Sequence, residues 1–137
     1  MGDVHTQVKL TNALDEALHR RGQLAADQVR RYEAHAMVDT GAVRTVLPQH
    51  VADRLGLAIR GQRVVEYADG RKESVGLTEG VIIDIDGRDT LEASLVLGDE
   101  VLIGQTVLET LDLVVDCANQ KLMPNPAHPD QPVTKIK

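Results

Sequence analysis

The segment Met37-Val38-Asp39-Thr40-Gly41-Ala42 ends an apolar run on a carboxylate, turns at once through small residues, and leads to a second apolar pair, Val46-Leu47. An ionised group is costly to bury without partners, so a hydrophobic strand that closes on aspartate needs a reason to do so. Thr40 offers a short hydroxyl that can fix the turn, and Gly41 lets backbone and partner approach closely. At 137 residues the chain suits one domain with a real core. That core has to be aliphatic. There is no Phe or Trp, and the only tyrosines are Tyr32 and Tyr67.

A formal charge of −6, with acidic and basic residues interspersed, favours solubility and argues against a nucleic-acid surface. Cys117 is the single cysteine, which excludes an intrachain disulfide and a CxxC site and fits a reducing compartment, so a cytoplasmic location is expected. No apolar stretch is long enough to span a bilayer, the polar N-terminus lacks a signal peptide's apolar region, and no membrane partner is expected. Met1-Gly2-Asp3-Val4-His5-Thr6 matches the loose myristoylation pattern and is taken as chance.

Along the chain, His5 to Leu10 alternates as a strand, and Asn12 can cap a helix over Ala13 to Arg21 that stops at Gly22. Gln28 to Met37 resumes a strand pattern into Asp39. Pro48 opens a helix over Gln49 to Leu55, with Val51 and Leu55 toward the core and His50, Asp53 and Arg54 on the wet side. Arg63 to Tyr67 and Glu73 to Leu77 flank Ala68-Asp69-Gly70-Arg71, a strong hairpin signal. A second hairpin joins Gly80 to Ile85 with Asp89 to Leu97 through Asp86-Gly87. Val101-Leu102-Ile103-Gly104 precedes a short helix over Thr106 to Leu111. Strands at Leu113 to Asp116 and Lys121 to Met123 complete a domain over residues 1–123. The tail, 124–137, carries Pro124, Pro126, Pro129 and Pro132 and is expected to be a loose arm.

Other constellations carry less. Asp84, Asp86 and Asp89 suggest calcium, but an EF-hand loop counted from Asp84 puts Arg88, Asp89 and Leu95 where ligands, glycine and glutamate belong. The five histidines show no paired metal spacing, and no serine or cysteine sits in a nucleophile-elbow context. Asp116 also closes an apolar strand, yet Cys117-Ala118 supplies no Thr-Gly turn.

The loop Met37 to Ala42, continued by Thr45-Val46-Leu47-Pro48, resembles the active-site loop of the aspartic proteases, in particular the retroviral-type, retropepsin-like enzymes and their bacterial single-lobe relatives. The order of parts from about Val8 to Leu122 is similar as well: loop, short helix, glycine-tipped hairpin, second hairpin, apolar-apolar-Gly and a short helix. The resemblance implies a mostly β, retropepsin-like acid-protease lobe, a closed or folded sheet with short helices. It implies a homodimer, because one chain carries one such loop and the chemistry needs two carboxyls that share a proton. One of the pair takes a proton from water while the other polarises the peptide carbonyl. The implied catalytic residues are Asp39, Thr40 and Gly41, with Ala42, Arg44, Tyr67, Asp69 and Gly70 beside a peptide or protein substrate, the Tyr67 to Gly76 hairpin as a flap, and no metal or cofactor. Apolar neighbours Val43, Val46 and Leu47 suggest apolar substrate side chains. Two features depart from the viral pattern: the added segment from about Asn12 to Gln28, and the proline-rich tail after the last strand. The rival class is a non-catalytic dimerisation or peptide-binding module of the same fold.

Overall fold

The structure is a computed structural model and describes residues 3–136. The myristoylation pattern that begins at Met1-Gly2 lies partly outside the described residues. In chain order the elements are β1 (His5–Asn12), α1 (Ala13–Arg20), a 3-10 turn (Ala26–Gln28), β2 (Arg31–Val38), β3 (Val46–Leu47), α2 (Gln49–Arg54), β4 (Ile59–Glu66), β5 (Lys72–Ile85), β6 (Arg88–Val96), β7 (Leu102–Ile103), α3 (Gln105–Leu111), β8 (Leu113–Asp116) and β9 (Lys121–Pro124). The fold is mostly β, as expected.

The main sheet runs β1-β2-β7-β3-β6-β5-β4, and β1 also pairs with β5, so the strands from β1 to β5 in that order close into a ring. Only β4 hangs outside it, hydrogen-bonded to β5 alone among the described strands. The period of two explains the closure: Val8 and Leu10 of β1, Ala34 and Ala36 of β2, and Ile83 and Ile85 of β5 all point inward and are buried. Leu47, Val51, Leu55, Ile103, Val107 and Leu111 fill the rest of one aliphatic core, against which Tyr32 packs at its edge.

The two strands expected over Glu73 to Leu77 and Gly80 to Ile85 form one long β5, with a register shift against β6 between Leu77 and Gly80. Thr78 absorbs the irregularity, its hydroxyl accepting the Ser94 N–H at 3.0 Å and donating to the Glu79 carbonyl. The acidic cluster near Asp84 is turn chemistry: Asp84 Oδ1 accepts the Gly87 N–H, and Asp86 and Gly87 have φ of 52° and 88°. Asp116 does the same for the β8–β9 turn through Asn119.

The added segment is anchored by charge. Asn12 caps α1 through the Asp15 N–H and donates to the Leu55 carbonyl at 2.8 Å, tying α1 to α2. Asp15 is buried and accepts from Arg30 three times, through its N–H, Nε and Nη2 at 2.8 to 3.0 Å. The Arg30 guanidinium lies against Gly56, where a Cβ would stand 1.8 Å from Nη1. Gly56 also has φ of +63°, and it is this backbone conformation that favours glycine there, since the Arg30 head is the movable end of a side chain.

The tail differs from the expected loose arm because Asp112 holds it. Asp112 terminates α3 with φ of 57°, and its carboxylate accepts from Asn125 Nδ2, His128 Nδ1 and the Val133 N–H at 3.0, 2.6 and 3.1 Å. These hydrogen bonds, Asn125 foremost, hold the Asp112 carboxyl below the usual carboxylate range. Arg88 adds a second strap, donating to the Leu111 and His128 carbonyls.

The Arg30 hydrogen bonds lower the Asp15 pKa against the opposing effect of burial. Its share of stability is therefore fully present above about pH 4, where unfolded aspartate is ionised, and is lost as pH falls through the depressed folded value. Asp15→Ala should cost about 1–2 kcal/mol at neutral pH, the half-exposed Arg30 head being free to rehydrate. Denaturant midpoints of both proteins between about pH 3 and 7 check this. The expected gap is constant near neutrality and narrows at the acid end; a gap that widened in acid would reject the assignment.

Candidate active site

The two-residue strand β7 is the foundation of the Asp39 loop. It lies parallel to β2, with Met37 opposite Leu102 and Val38 opposite Ile103, and its other edge meets β3 where Val46 faces Leu102. The chain thus approaches Asp39 along one side of β7 and leaves Val46 along the other. Asp39 extends the parallel pairing by one bond, its N–H reaching the Ile103 carbonyl at 2.9 Å. There the chain turns: Gly41 N–H donates to Asp39 Oδ1 at 2.9 Å, and Ala42 N–H to the Asp39 carbonyl at 3.1 Å.

The returning half of the loop rests on the start of α3. Gln105 N–H donates to the Ala42 carbonyl at 2.8 Å and Thr106 N–H to the Val43 carbonyl at 3.0 Å. Gly104 makes that approach possible. A Cβ there would stand 2.8 Å from the Ala42 oxygen and from the Arg44 carbonyl carbon and oxygen, all backbone atoms. Its φ of −93° suits any residue, so the requirement is for space.

Asp39 is half-buried, while Thr40 and Gly41 are exposed. The Thr40 hydroxyl makes no hydrogen bond among the described residues, and backbone groups hold the loop. Ala42 is half-buried beside it. Arg44 turns away along β6, its Nη1 donating to the Ala93 carbonyl at 3.2 Å. Of the three apolar neighbours, Val46 and Leu47 belong to the core and only Val43, 71% exposed, faces solvent. An apolar substrate preference therefore rests on Val43 alone.

Tyr67, Asp69 and Gly70 come together at the tip of the β4–β5 hairpin. Tyr67 N–H donates to the Arg71 carbonyl, Gly70 N–H to the Tyr67 carbonyl, and Gly70 has φ of 87°. Asp69 Oδ1 accepts the Arg71 N–H. The Tyr67 hydroxyl donates to Glu73, which raises its pKa, and the Arg71 guanidinium lies 4.5 Å from the centre of its ring. No hydrogen bond joins this tip to the Asp39 loop among the described residues. No group of three or more His, Cys, Asp or Glu side chains is placed to hold a metal ion among them either.

Beside Thr40 opens a groove of about 920 Å3, walled by α3, β8 and the clasped tail, with Leu108, Leu113, Val115, His128 and Val133 in its lining. Glu92 and Thr106, bonded to each other and through Glu92 to Thr45 at the end of the loop, carried no sequence signal.

A family model described as "gag-polyprotein putative aspartyl protease" matches residues 27–110, more than half of the chain and the whole of the Asp39 loop and both hairpins. The chain belongs to that family. Among solved structures it is similar to the retroviral protease-like domain of Ddi1 from Leishmania major, at 17% identity and a TM-score of 0.58 over 92% of this chain and 90% of that one. At that identity the likeness speaks for the fold, which is retropepsin-like. No curated protein matches the chain.

In this retropepsin-like lobe Gly104→Ala should disturb the loop, since backbone cannot yield as a side-chain end can. A loss of about 1–3 kcal/mol is expected from overpacking. Thermal or denaturant unfolding checks the magnitude, and amide chemical shifts should move over residues 39–45 and 103–106. Wild-type stability with unmoved loop resonances would contradict the packing described.

Proposed function

We propose that this chain is an aspartic endopeptidase whose working form is a homodimer, with Asp39 of the two copies facing each other across a two-fold axis. The observation that carries this reading is the state of Asp39. Its Oδ1 is oriented by the Gly41 N–H, and its Oδ2 has no hydrogen bond among the described residues. One carboxyl is half of what water activation needs. Two such groups brought together cannot both ionise easily and would share one proton, one copy as base and the other as acid. The resulting activity belongs in mildly acidic conditions, and a statine-type mimic of the tetrahedral transition state should inhibit it.

The surface supports the same assembly. The groove beside Thr40 is partly apolar and adjoins the small β8–β9 sheet, so a second copy seated there would cover the groove and complete the carboxyl pair together. In that arrangement Gly41 braces the loop, the exposed Thr40 lies at the junction with the second copy, Ala42 and the exposed Val43 border the peptide, and the Tyr67 to Gly76 hairpin closes over it. The exposed, unpaired Cys117 fits a reducing cytoplasm. One observation favours the second reading, a non-catalytic peptide-binding or dimerisation module: the hairpin tip is already satisfied, with Tyr67 engaged by Glu73 and Arg71.

The deciding experiment compares wild type with Asp39→Asn on an unbiased peptide mixture from about pH 4 to 7, reading products by mass while sedimentation follows the oligomer. Cleavage by the dimeric wild type, reduced at least about a hundredfold in the folded variant, is expected. A wild type that dimerises and cleaves nothing, at any pH tested, points to the binding module. A chain that stays monomeric at every concentration removes the carboxyl pair and the protease with it.

A further inference from the structure

Glu92 sits on β6, where alternation gives it the look of a solvent-facing charge. It is half-buried, and both carboxylate oxygens are in use: Oε2 accepts the Thr45 N–H at 3.1 Å and Oε1 the Thr106 hydroxyl at 2.9 Å. It forms no ion pair among the described residues. A carboxylate spent on two neutral donors makes stronger hydrogen bonds than neutral partners do, and it holds whatever carries those donors.

The donors belong to the two segments that frame the Asp39 loop. Thr45 is its last residue before β3, and Thr106 lies in the first turn of α3, just beyond Gly104. Thr45 is fully buried, so its N–H cannot turn to water if the partner is lost. The β3–β6 pairing itself begins one residue later, at Val46 opposite Leu95. On the loop side, β6 already accepts from Arg44 at Ala93 and donates from Leu95 N–H to the Thr45 carbonyl. Glu92 therefore extends the pairing by one donor and fastens it to the helix, making one unit of loop, strand and α3.

We propose that Glu92 is a positioning residue for the Asp39 loop: through Thr45 and Thr106 it fixes the returning half of the loop and with it the aim of Asp39. The role in catalysis rests on the protease reading of Asp39. Glu92 touches no substrate in this account and acts through the backbone it holds. Glutamine can replace it, because its amide oxygen accepts the Thr45 N–H while its NH2 donates to the Thr106 hydroxyl oxygen, which is both acceptor and donor. Alanine cannot.

The test compares wild type, Glu92→Ala, Glu92→Gln and Thr106→Val in cleavage kinetics and in amide hydrogen exchange. Glu92→Ala is expected to lower kcat about tenfold to a hundredfold with little change in KM, as for a reacting group displaced by a fraction of an ångström to an ångström. Glu92→Gln should stay within about threefold of wild type, and Thr106→Val should fall between them. Exchange at Thr45 should accelerate in Glu92→Ala while the β1–β2 amides keep their protection. Equal losses in the alanine and glutamine variants, or an unchanged Thr45 amide in the alanine variant, would overturn the proposal. If the wild type cleaves nothing, the protease reading fails by itself, and the exchange comparison still decides whether Glu92 holds the loop.

Discussion

The Asp39 loop exists in this form because backbone packs on backbone at Gly104. With a Cβ 2.8 Å from the Ala42 and Arg44 main chain there is no room for any side chain, and without that contact the carbonyls of Ala42 and Val43 lose the N–H groups of Gln105 and Thr106. Everything that follows depends on β7 being narrow enough to sit between β2 and β3. Both its residues pair with β2 and Leu102 pairs with β3 as well, and the residue after them must be small for the loop to fold back over it. Ring closure through β1 and β5 then fixes β2 from behind, so the strand that delivers Asp39 is held along both edges. The position of one carboxylate is thus a property of the whole sheet.

An all-aliphatic core of this size leaves the excursions from the ring to be secured by other means. Thr45 apart, the largest fully buried side chains are leucines, isoleucines and valines, which pack well but carry no direction. Direction comes from two aspartates used in opposite ways. Asp15 is buried and paired with a single arginine that grips it through side chain and backbone together, which locks the added segment onto the end of α2. Asp112 stands at the end of α3 and gathers several donors from the tail, and its left-handed backbone turns the chain into β8. The second arrangement has a functional consequence. By holding the tail along the groove it makes residues near His128 and Val133 part of the same face that presents Thr40.

Much of this was legible in the residues because it is local or periodic. The Asn12 cap, the Pro48 start of α2, both Asp-Gly hairpins and the Asp39 loop are each written within a few neighbouring positions, and the inward alternation of Val8 and Leu10 follows from the pleat. What escaped is what depends on pairs distant in the chain. Asp15 and Arg30 are unremarkable singly, and nothing near Arg30 announces that it covers Gly56. The tail reads as loose because proline cannot continue a ladder, which is true of Pro126 and Pro129, but side-chain acceptors on Asp112 hold it without one. Val46 and Leu47 read as pocket residues by their closeness to Asp39 in sequence, and the sheet turns them inward. Glu92 alternates like a surface residue. Its partners lie on two other segments, so no pattern along β6 could reveal them.

The division of labour within the site follows from the same geometry. The loop is held chiefly through its backbone: Asp39, Ala42, Val43 and Thr45 bond to main-chain groups of β7, α3 and β6, and two carboxylates, Asp39 and Glu92, take the Gly41 and Thr45 N–H groups. It is unfinished in its charge, since the single Asp39 carboxyl has one oxygen fixed and the other without a hydrogen bond among the described residues. A rigid frame around an incomplete pair is what a symmetric assembly can use. In the proposed dimer the two-fold operation would supply the second carboxyl at no cost in new sequence, and joining two such rigid copies need not order either loop. Repulsion between two like groups in that dimer would be relieved by retaining a proton, and that proton would be the acid the proposed reaction requires.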